Sequence, residues 1–369
     1  MTDSTSKPDS YEKAGVNISV ADLAVQKLTN RLRSTWPSKG LGRVLLDFGH
    51  YANVVDIGGG QGIAICTDGI GSKALLAEMT GEYRTIGIDC VAMNVNDLVC
   101  IGAKPLTFVD YIASESVQPE ILKNIGEGLV VGAELAGVSI TGGEIAELPD
   151  MIRGVNPGEG FDLAGTAIGT LSIDKIITGN QLKPGDSIVG IASNGIHSNG
   201  MTLARKIFFS DGGFNVDSIL PELSVSLGEE LLKPTNIYVR EVLSILNKVN
   251  EVKAIFHITG DGFLNLLRTE APVGFMLDAL PHSQPIFEAI SKRGHVPATD
   301  MYSIYNMGVG LCVVVPDSLV DKVISASVAE GKEAWRIGTV TSKEGQVIIP
   351  SNPLDGRSMA SEKKRFIEI

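Results

Sequence analysis

The chain has 369 residues, 44% of them hydrophobic and only 5% aromatic, with 42 glycines and a formal charge of −12. That size and composition predict two α/β domains rich in tight turns, and exclude extended disorder. No dense Lys/Arg stripe exists, which excludes nucleic acid as the main partner, and no apolar run approaches membrane-spanning length.

Met1 to Asp9 is polar and predicts a flexible tail without a signal segment. Ser19 opens a helix, with Asp22 as a capping partner and Ala21, Val25, Leu28 and Leu32 as one inward stripe. Strands are expected at Val44 to Leu46, Asn53 to Ile57 and Ile63 to Cys66. A helix is expected from Ile86 to Ile101, mostly buried, on which Asp89 and Asn96 share a face and Asp97 lies alongside. The pattern continues with a strand over Leu106 to Ile112, a helix over Pro119 to Ala136, a strand into Gly142-Gly143-Glu144 and a strand over Asp162 to Leu171.

A boundary near residue 172 gives an N-terminal domain over 1–172, a C-terminal α/β domain over 173–350 and a polar tail over 351–369. In the second domain the strand Ser187 to Ala192 feeds the loop Gly195-Ile196-His197-Ser198-Asn199-Gly200 and a helix over Met201 to Phe208. Ala254 to Ile258 feeds Thr259-Gly260-Asp261-Gly262 and a helix over Phe263 to Arg268, and further strands cover Leu311 to Val315 and Trp335 to Val340. Cys66, Cys90, Cys100 and Cys312 lack Cys-x-x-Cys spacing and read as buried free thiols in the cytoplasm.

Chemistry concentrates at strand ends. Cys66 to Lys73 sets a carboxylate, glycines, a hydroxyl and a lysine at a strand-to-helix junction, where free N–H groups favour an anion. An Asp-Gly turn that merely caps the helix is the competing reading. No Walker loop, dinucleotide fingerprint or kinase signature is present. The carboxylates Asp68, Asp89, Asp97, Asp110 and Glu144 would repel a triphosphate unless Mg²⁺ bridged them, so metal plus phosphate is the favoured reading, with Lys73 stabilising phosphoryl charge. Local capping or pairing of Asp89 and Asp97 is the alternative. His197 suits proton transfer or substrate contact, or else stabilises its own loop. His257 sits in an apolar strand and reads as structural.

Taken together, these stretches resemble phosphoribosylformylglycinamidine cyclo-ligase, the aminoimidazole ribonucleotide synthetase family. The resemblance rests on Ser10 to Val16, Thr67 to Lys73, Thr85 to Asp89 through Val95 to Leu98, and Gly142 to Glu144. It continues through Gly195 to Gly200, His257 to Gly260 and Asn306 to Gly310, all in the family's order. It implies the two-domain α/β (α+β) fold of that family, with N-terminal sheets pairing into a barrel across a homodimer. It also implies ATP-dependent ring closure of formylglycinamidine ribonucleotide to aminoimidazole ribonucleotide, with release of ADP and phosphate.

Carried over by position, the family's ATP site would take Thr67, Asp68, Gly69, Gly71, Ser72, Lys73, Asp89, Asn96, Asp110, Gly142 and Gly143. Asp68, Asp97 and Glu144 would hold Mg²⁺. His197, Ser198, Asn199, Thr259 and Gly260 would face the substrate, with Lys73, Asp97 and His197 in the catalytic roles. Asp261 departs from the family by interrupting three expected glycines, which sets a negative charge where a phosphate contact is expected. Relatives with the same ATP-binding architecture, such as thiamine-monophosphate kinase and formylglycinamidine synthetase, are the alternatives, together with a catalytically silent nucleotide-binding protein.

Overall fold

The computed structural model describes residue 10 and residues 18–359 and 362–368; the expected tail and the Tyr11 to Val16 segment lie outside them. Two sheets organise the chain. The first has five strands, β1 (Asn53–Gly58), β2 (Gln61–Gly69), β3 (Lys104–Ser114), β4 (Ser139–Glu147) and β5 (Phe161–Ser172), in the order β1-β2-β5-β3-β4. Only β3 and β4 run parallel; the other neighbours are antiparallel.

One face of this sheet is covered by a helix over Arg84–Cys100, which is buried on nearly every side. Its apolar character follows from that position: the sheet lies on one flank, the helix Pro119–Ala136 on another and the C-terminal domain beyond. Glycines let the two helices touch. A Cβ on Gly128 would lie 1.8 Å from the Arg84 carbonyl oxygen, and one on Gly87 would lie 2.4 Å from that of Ile125.

The second sheet has eight strands: β6 (Ser187–Ala192), β7 (Ala254–His257), β8 (Gly274–Met276), β9 (Val309–Val315), β10 (Ala334–Thr341), β11 (Gln346–Ile349), β12 (Leu354–Met359) and β13 (Glu362–Glu368). Their order is β13-β12-β11-β8-β10-β6-β9-β7. Every residue of β9 is buried, as its unbroken Val/Leu run requires of a strand covered on both faces.

Three expectations are corrected. The polar tail over 351–369 instead contributes the hairpin β12–β13, whose Leu354 and Phe366 are buried. Val44 to Leu46 makes only an isolated bridge, Val44 to Val55. The helix Ile18–Leu32 forms, but Val25, Leu28 and Leu32 are exposed at 57%, 59% and 41%, so its stripe does not face the core.

The helix crossing is the least forgiving contact in the first domain, because backbone atoms would meet an added methyl. Gly128→Ala is expected to lower stability by about 1–3 kcal/mol. Urea unfolding monitored by circular dichroism reads this directly, and an unchanged midpoint would contradict the crossing.

Candidate active site

The junction between the two sheets gathers residues from both halves of the chain. Asp97, on the helix Arg84–Cys100, lies over the end of β2, its Oδ2 3.8 Å from the Cys66 sulfur. Its Oδ1 stands 2.8 Å from Nδ1 of His257, the last residue of β7. His257 is fully buried and its Nε2 lies 3.5 Å from Asn96 Nδ2. The Tyr51 hydroxyl donates to the His257 carbonyl at 3.1 Å. A histidine that read as structural therefore orients a site carboxylate, and it does so from the second domain.

Asp68 follows Cys66 on the same face of β2 by strand alternation. It is solvent-exposed, yet its carboxyl is pushed above the usual range, first by the atoms packed round it and then by the charge of Asp97. Asp110 shares that face. The register runs Asp68, Gly165, Asp110, Gly143 across four strands, and a Cβ on Gly143 would lie 2.6 Å from an Asp110 oxygen. Partial burial raises the Asp110 carboxyl as well.

Glu144 falls in the next row, in register with Tyr111, and therefore points to the opposite, open face. Its side chain accepts from the adjacent Ile145 N–H at 3.0 Å. Thr67 and Gly142 belong to that open face too, and Thr67 bonds the Gly165 carbonyl at 2.8 Å. Asp68, Asp97 and Glu144 thus do not converge within one chain, which corrects the expected metal set. Among the described residues, no three His, Cys, Asp or Glu side chains are grouped to hold a metal. Asp68 and Asp97 alone remain as adjacent hard oxygen donors. That pair fits Mg²⁺, which is commonly held by one or two carboxylates and completed by phosphate oxygens and water.

Lys73 and Asp89 correct a second expectation. Both are fully buried, and Lys73 Nζ lies 2.7 Å from Asp89 Oδ2. The same amine donates to the Lys233 carbonyl at 2.8 Å. Burial lowers the Lys73 pKa, and the Asp89 charge opposes the shift. Asp89 Oδ1 accepts from the Thr235 N–H at 2.7 Å, the Thr235 hydroxyl at 2.6 Å and the Ser198 hydroxyl at 3.0 Å. Asn96, also expected at the nucleotide, instead bonds the Asn236 carbonyl at 2.8 Å and the Tyr238 N–H at 2.9 Å. Ser72 meets Thr202 hydroxyl to hydroxyl at 2.8 Å. Gly69 and Gly71 complete the turn between Asp68 and Ser72, Gly71 with φ +58°.

The loop from Gly195 to Gly200 is pinned by the Asn306 side chain, which accepts from Ser193 Oγ at 2.8 Å and donates to the Gly195 carbonyl at 2.9 Å. His197 sits in it at φ +59°, buried, with neither ring nitrogen hydrogen-bonded. Its ring packs 6.3 Å from that of Tyr238. Gly310 makes room, since a Cβ there would lie 1.9 Å from the Tyr238 hydroxyl and 2.8 Å from His197 Cε1. Burial drives the His197 pKa well below 6.5, with electrostatic contributions from His257, Lys73 and Lys332 adding to it.

Asn199 and the Thr259–Gly260 turn do come together: a Cβ on Gly260 would lie 3.5 Å from Asn199 Oδ1. Asp261 has its own counter-ion, Arg268, at 3.4 Å. Arg268 in turn lies 5.2 Å over the Tyr51 ring. Sequence reasoning missed His257, Thr235, Arg268 and Tyr51. His257 opened a motif already singled out, while Thr235 stands in a Lys-Pro-Thr-Asn loop with no distinguishing pattern.

Family models match both halves of the chain: AIR synthase related protein, N-terminal domain, over residues 49–171, and the C-terminal domain of the same description over residues 183–350. Fold and site together thus define a two-domain protein of the AIR synthase-related class. Solved structures of similar fold include AaThiL complexed with AMPPCP and TMP (TM-score 0.62, 14% identity, 93% of this chain and 95% of that one). A second is the hydrogenase maturation protein HypE in complex with ATP (TM-score 0.56, 21% identity, 80% and 82%).

Much nearer in sequence are the phosphoribosylformylglycinamidine cyclo-ligases of Methanothermobacter thermautotrophicus and Methanobrevibacter smithii. The first is 44% identical over 91% of this chain and 96% of its own length, the second 42% identical over 90% and 95%. That of Methanocaldococcus jannaschii is 40% identical over 97% and 98%. The chain belongs to the phosphoribosylformylglycinamidine cyclo-ligase family.

A buried neutral histidine leaves a signature in stability. Below pH 6.5 the unfolded chain protonates His197 and the folded chain does not, so folding stability falls with acidification. Asn tolerates the same backbone region. His197→Asn is therefore expected to lose about 1 kcal/mol less than the parent between pH 7.5 and 5.5 in urea unfolding. Parallel pH profiles would refute the neutral, unpartnered ring.

Proposed function

We propose that this chain closes the imidazole ring of aminoimidazole ribonucleotide from formylglycinamidine ribonucleotide, using ATP and Mg²⁺, at the junction between its two sheets. The observation that carries this is the meeting of Asp97 from the first domain with His257 from the second, beside Asp68. It sets a hard-oxygen anion site against the polar loops at 195–200 and 259–260.

The formyl oxygen of the substrate is a poor leaving group. Transfer of the ATP γ-phosphoryl group to it makes phosphate the leaving group, and the amidine nitrogen then attacks the formyl carbon. Phosphate departs, a proton is lost and ADP remains. Mg²⁺, bound when ATP binds, would neutralise charge on the transferring phosphoryl group. The chain's own part is to orient Asp68 and Asp97, with His257 fixing one oxygen of Asp97 and leaving the other on the Cys66 side. The loop of His197, Ser198 and Asn199, with Thr259 and Gly260, holds the two ends of the substrate together and makes the attack intramolecular. His197, neutral and buried, has both ring nitrogens free of competing hydrogen bonds and so suits a substrate contact.

The working form is proposed to be a homodimer in which open sheet faces pair. Supporting this are Ile65 and Tyr111, exposed at 39% and 44% on a face that also carries Thr67 and Glu144. Glu144, Thr67 and Gly142 would then serve a nucleotide site completed by the second subunit. A cytoplasmic setting accords with four buried free cysteines.

Incubation of the pure protein with formylglycinamidine ribonucleotide, ATP and Mg²⁺ is expected to yield aminoimidazole ribonucleotide, detected by diazo coupling; ATP binding without turnover would sink the reading. Asp97→Asn should lose most of the activity and keep its thermal transition. His257→Gln, which loosens Asp97 without touching the metal, should lower activity about 10–100-fold. Wild-type turnover in either variant would remove the Asp97–His257 pair from the mechanism.

A further inference from the structure

We propose that Lys73 and Asp89 are positioning residues that hold the substrate loop of the second domain against the first, and are not contacts to the nucleotide. The proposal rests on the cyclo-ligase reading for what the loop binds, but its geometry stands independently.

Three observations carry it. Both side chains are fully buried and satisfy each other at 2.7 Å, so neither offers charge to an incoming phosphate. Every further polar contact of the pair crosses to the second domain. Lys73 reaches the Lys233 carbonyl, and Asp89 Oδ1 takes the Thr235 N–H, the Thr235 hydroxyl and the Ser198 hydroxyl. Finally, Ser198 is the neighbour of His197, whose two ring nitrogens have no partner and whose backbone is held at φ +59°. An imidazole with no hydrogen bonds of its own is placed only by packing and by its loop. The Ser198–Asp89 bond is the loop's side-chain link to the first domain nearest to that ring. Ser72, one residue before Lys73, repeats the connection through Thr202 just after the loop.

The junction from Asp68 to Lys73 therefore has two ends with different tasks. Asp68 faces the nucleotide side, while Ser72 and Lys73 fasten the first domain to the substrate side. A buried ion pair is weak evidence for net stability, but it is well suited to fixing one register between two surfaces.

Two double variants separate the roles. Lys73→Met with Asp89→Asn removes both charges and keeps an acceptor for Ser198 and Thr235. We expect its affinity for Mg²⁺ and the unreactive analogue AMPPCP, measured by calorimetry, to stay within about twofold, and kcat/KM for the substrate to fall only about threefold, because the Lys73–Lys233 bond is lost while Ser198 and Thr235 keep their acceptor. Lys73→Met with Asp89→Leu removes the acceptor as well. We expect unchanged AMPPCP binding, kcat/KM lower by about 10–100-fold, and faster amide hydrogen exchange over residues 195–200. Should that variant fail to fold, Ser198→Ala cuts the loop's own bond to Asp89, leaves the ion pair in place and is read by the same exchange experiment.

A tenfold loss of AMPPCP affinity in the charge-free variant would overturn the proposal, as would unchanged exchange over 195–200 when the acceptor is removed. Absence of turnover in the parent protein would overturn the cyclo-ligase reading alone, because calorimetry and exchange do not depend on it.

Discussion

Asp89 is the constraint on which the two-domain arrangement turns. A carboxylate at the centre of an apolar helix is tolerated only if every lone pair finds a partner, since a buried charge left alone costs several kcal/mol. The first domain supplies one partner, Lys73, and the second supplies three donors from two side chains and one backbone amide. The helix Arg84–Cys100 can therefore remain folded and buried only when the second domain is docked against it in one register. The apolar surface around it supplies bulk attraction, which is indifferent to small slips; the hydrogen bonds to Asp89 and Asn96 are not.

Function follows from that docking. Asp97 lies eight residues after Asp89 on the same helix, and its partner His257 ends a strand of the second sheet. A slip between the domains would separate Asp97 from His257 as surely as it would separate Asp89 from Ser198. The helix thus aligns an anion-handling end and a substrate-handling loop with one set of contacts.

Much of this was legible in the sequence. The run from Pro119 to Ala136 and the strand from Ser187 to Ala192 are bounded by clear signals and form as expected. The odd polarity of Asp89, Asn96 and Asp97 on an apolar helix pointed to a ligand or metal, whereas Asp89 and Asn96 are met by other parts of the chain. What could not be read was which partner would arrive, because Thr235, Asn236 and Lys233 lie over a hundred residues away in a loop without periodicity. Glu144 stands apart from Asp68 and Asp97 within one chain for a different reason. Strand ends that look equivalent in sequence can present their carboxylates to opposite faces, and only the register from β2 through β5 and β3 to β4 decides which. The hairpin after Asn352 was missed because a polar edge strand such as Glu362–Glu368 has the composition of a tail; Phe366 anchors it in the core.

The interrupted glycine turn shows how local charge is managed in so acidic a chain. Asp261 replaces a glycine where a phosphate contact is expected, and on sequence alone its charge stands against that contact. In the folded chain the carboxylate faces Arg268, seven residues on, at 3.4 Å. The guanidinium is kept in place by the Tyr51 ring beneath it at 5.2 Å, and Tyr51 in turn bonds the backbone of His257. Burial alone would lower the Arg268 pKa, but Tyr51, Asp261 and Asp97 together raise it, so the cation persists at every working pH. Half-exposed as it is, the pair contributes about 1 kcal/mol at most to stability. Its consequence is electrostatic: the turn carries no net charge from Asp261, so Thr259 and Gly260 have no uncompensated carboxylate beside them.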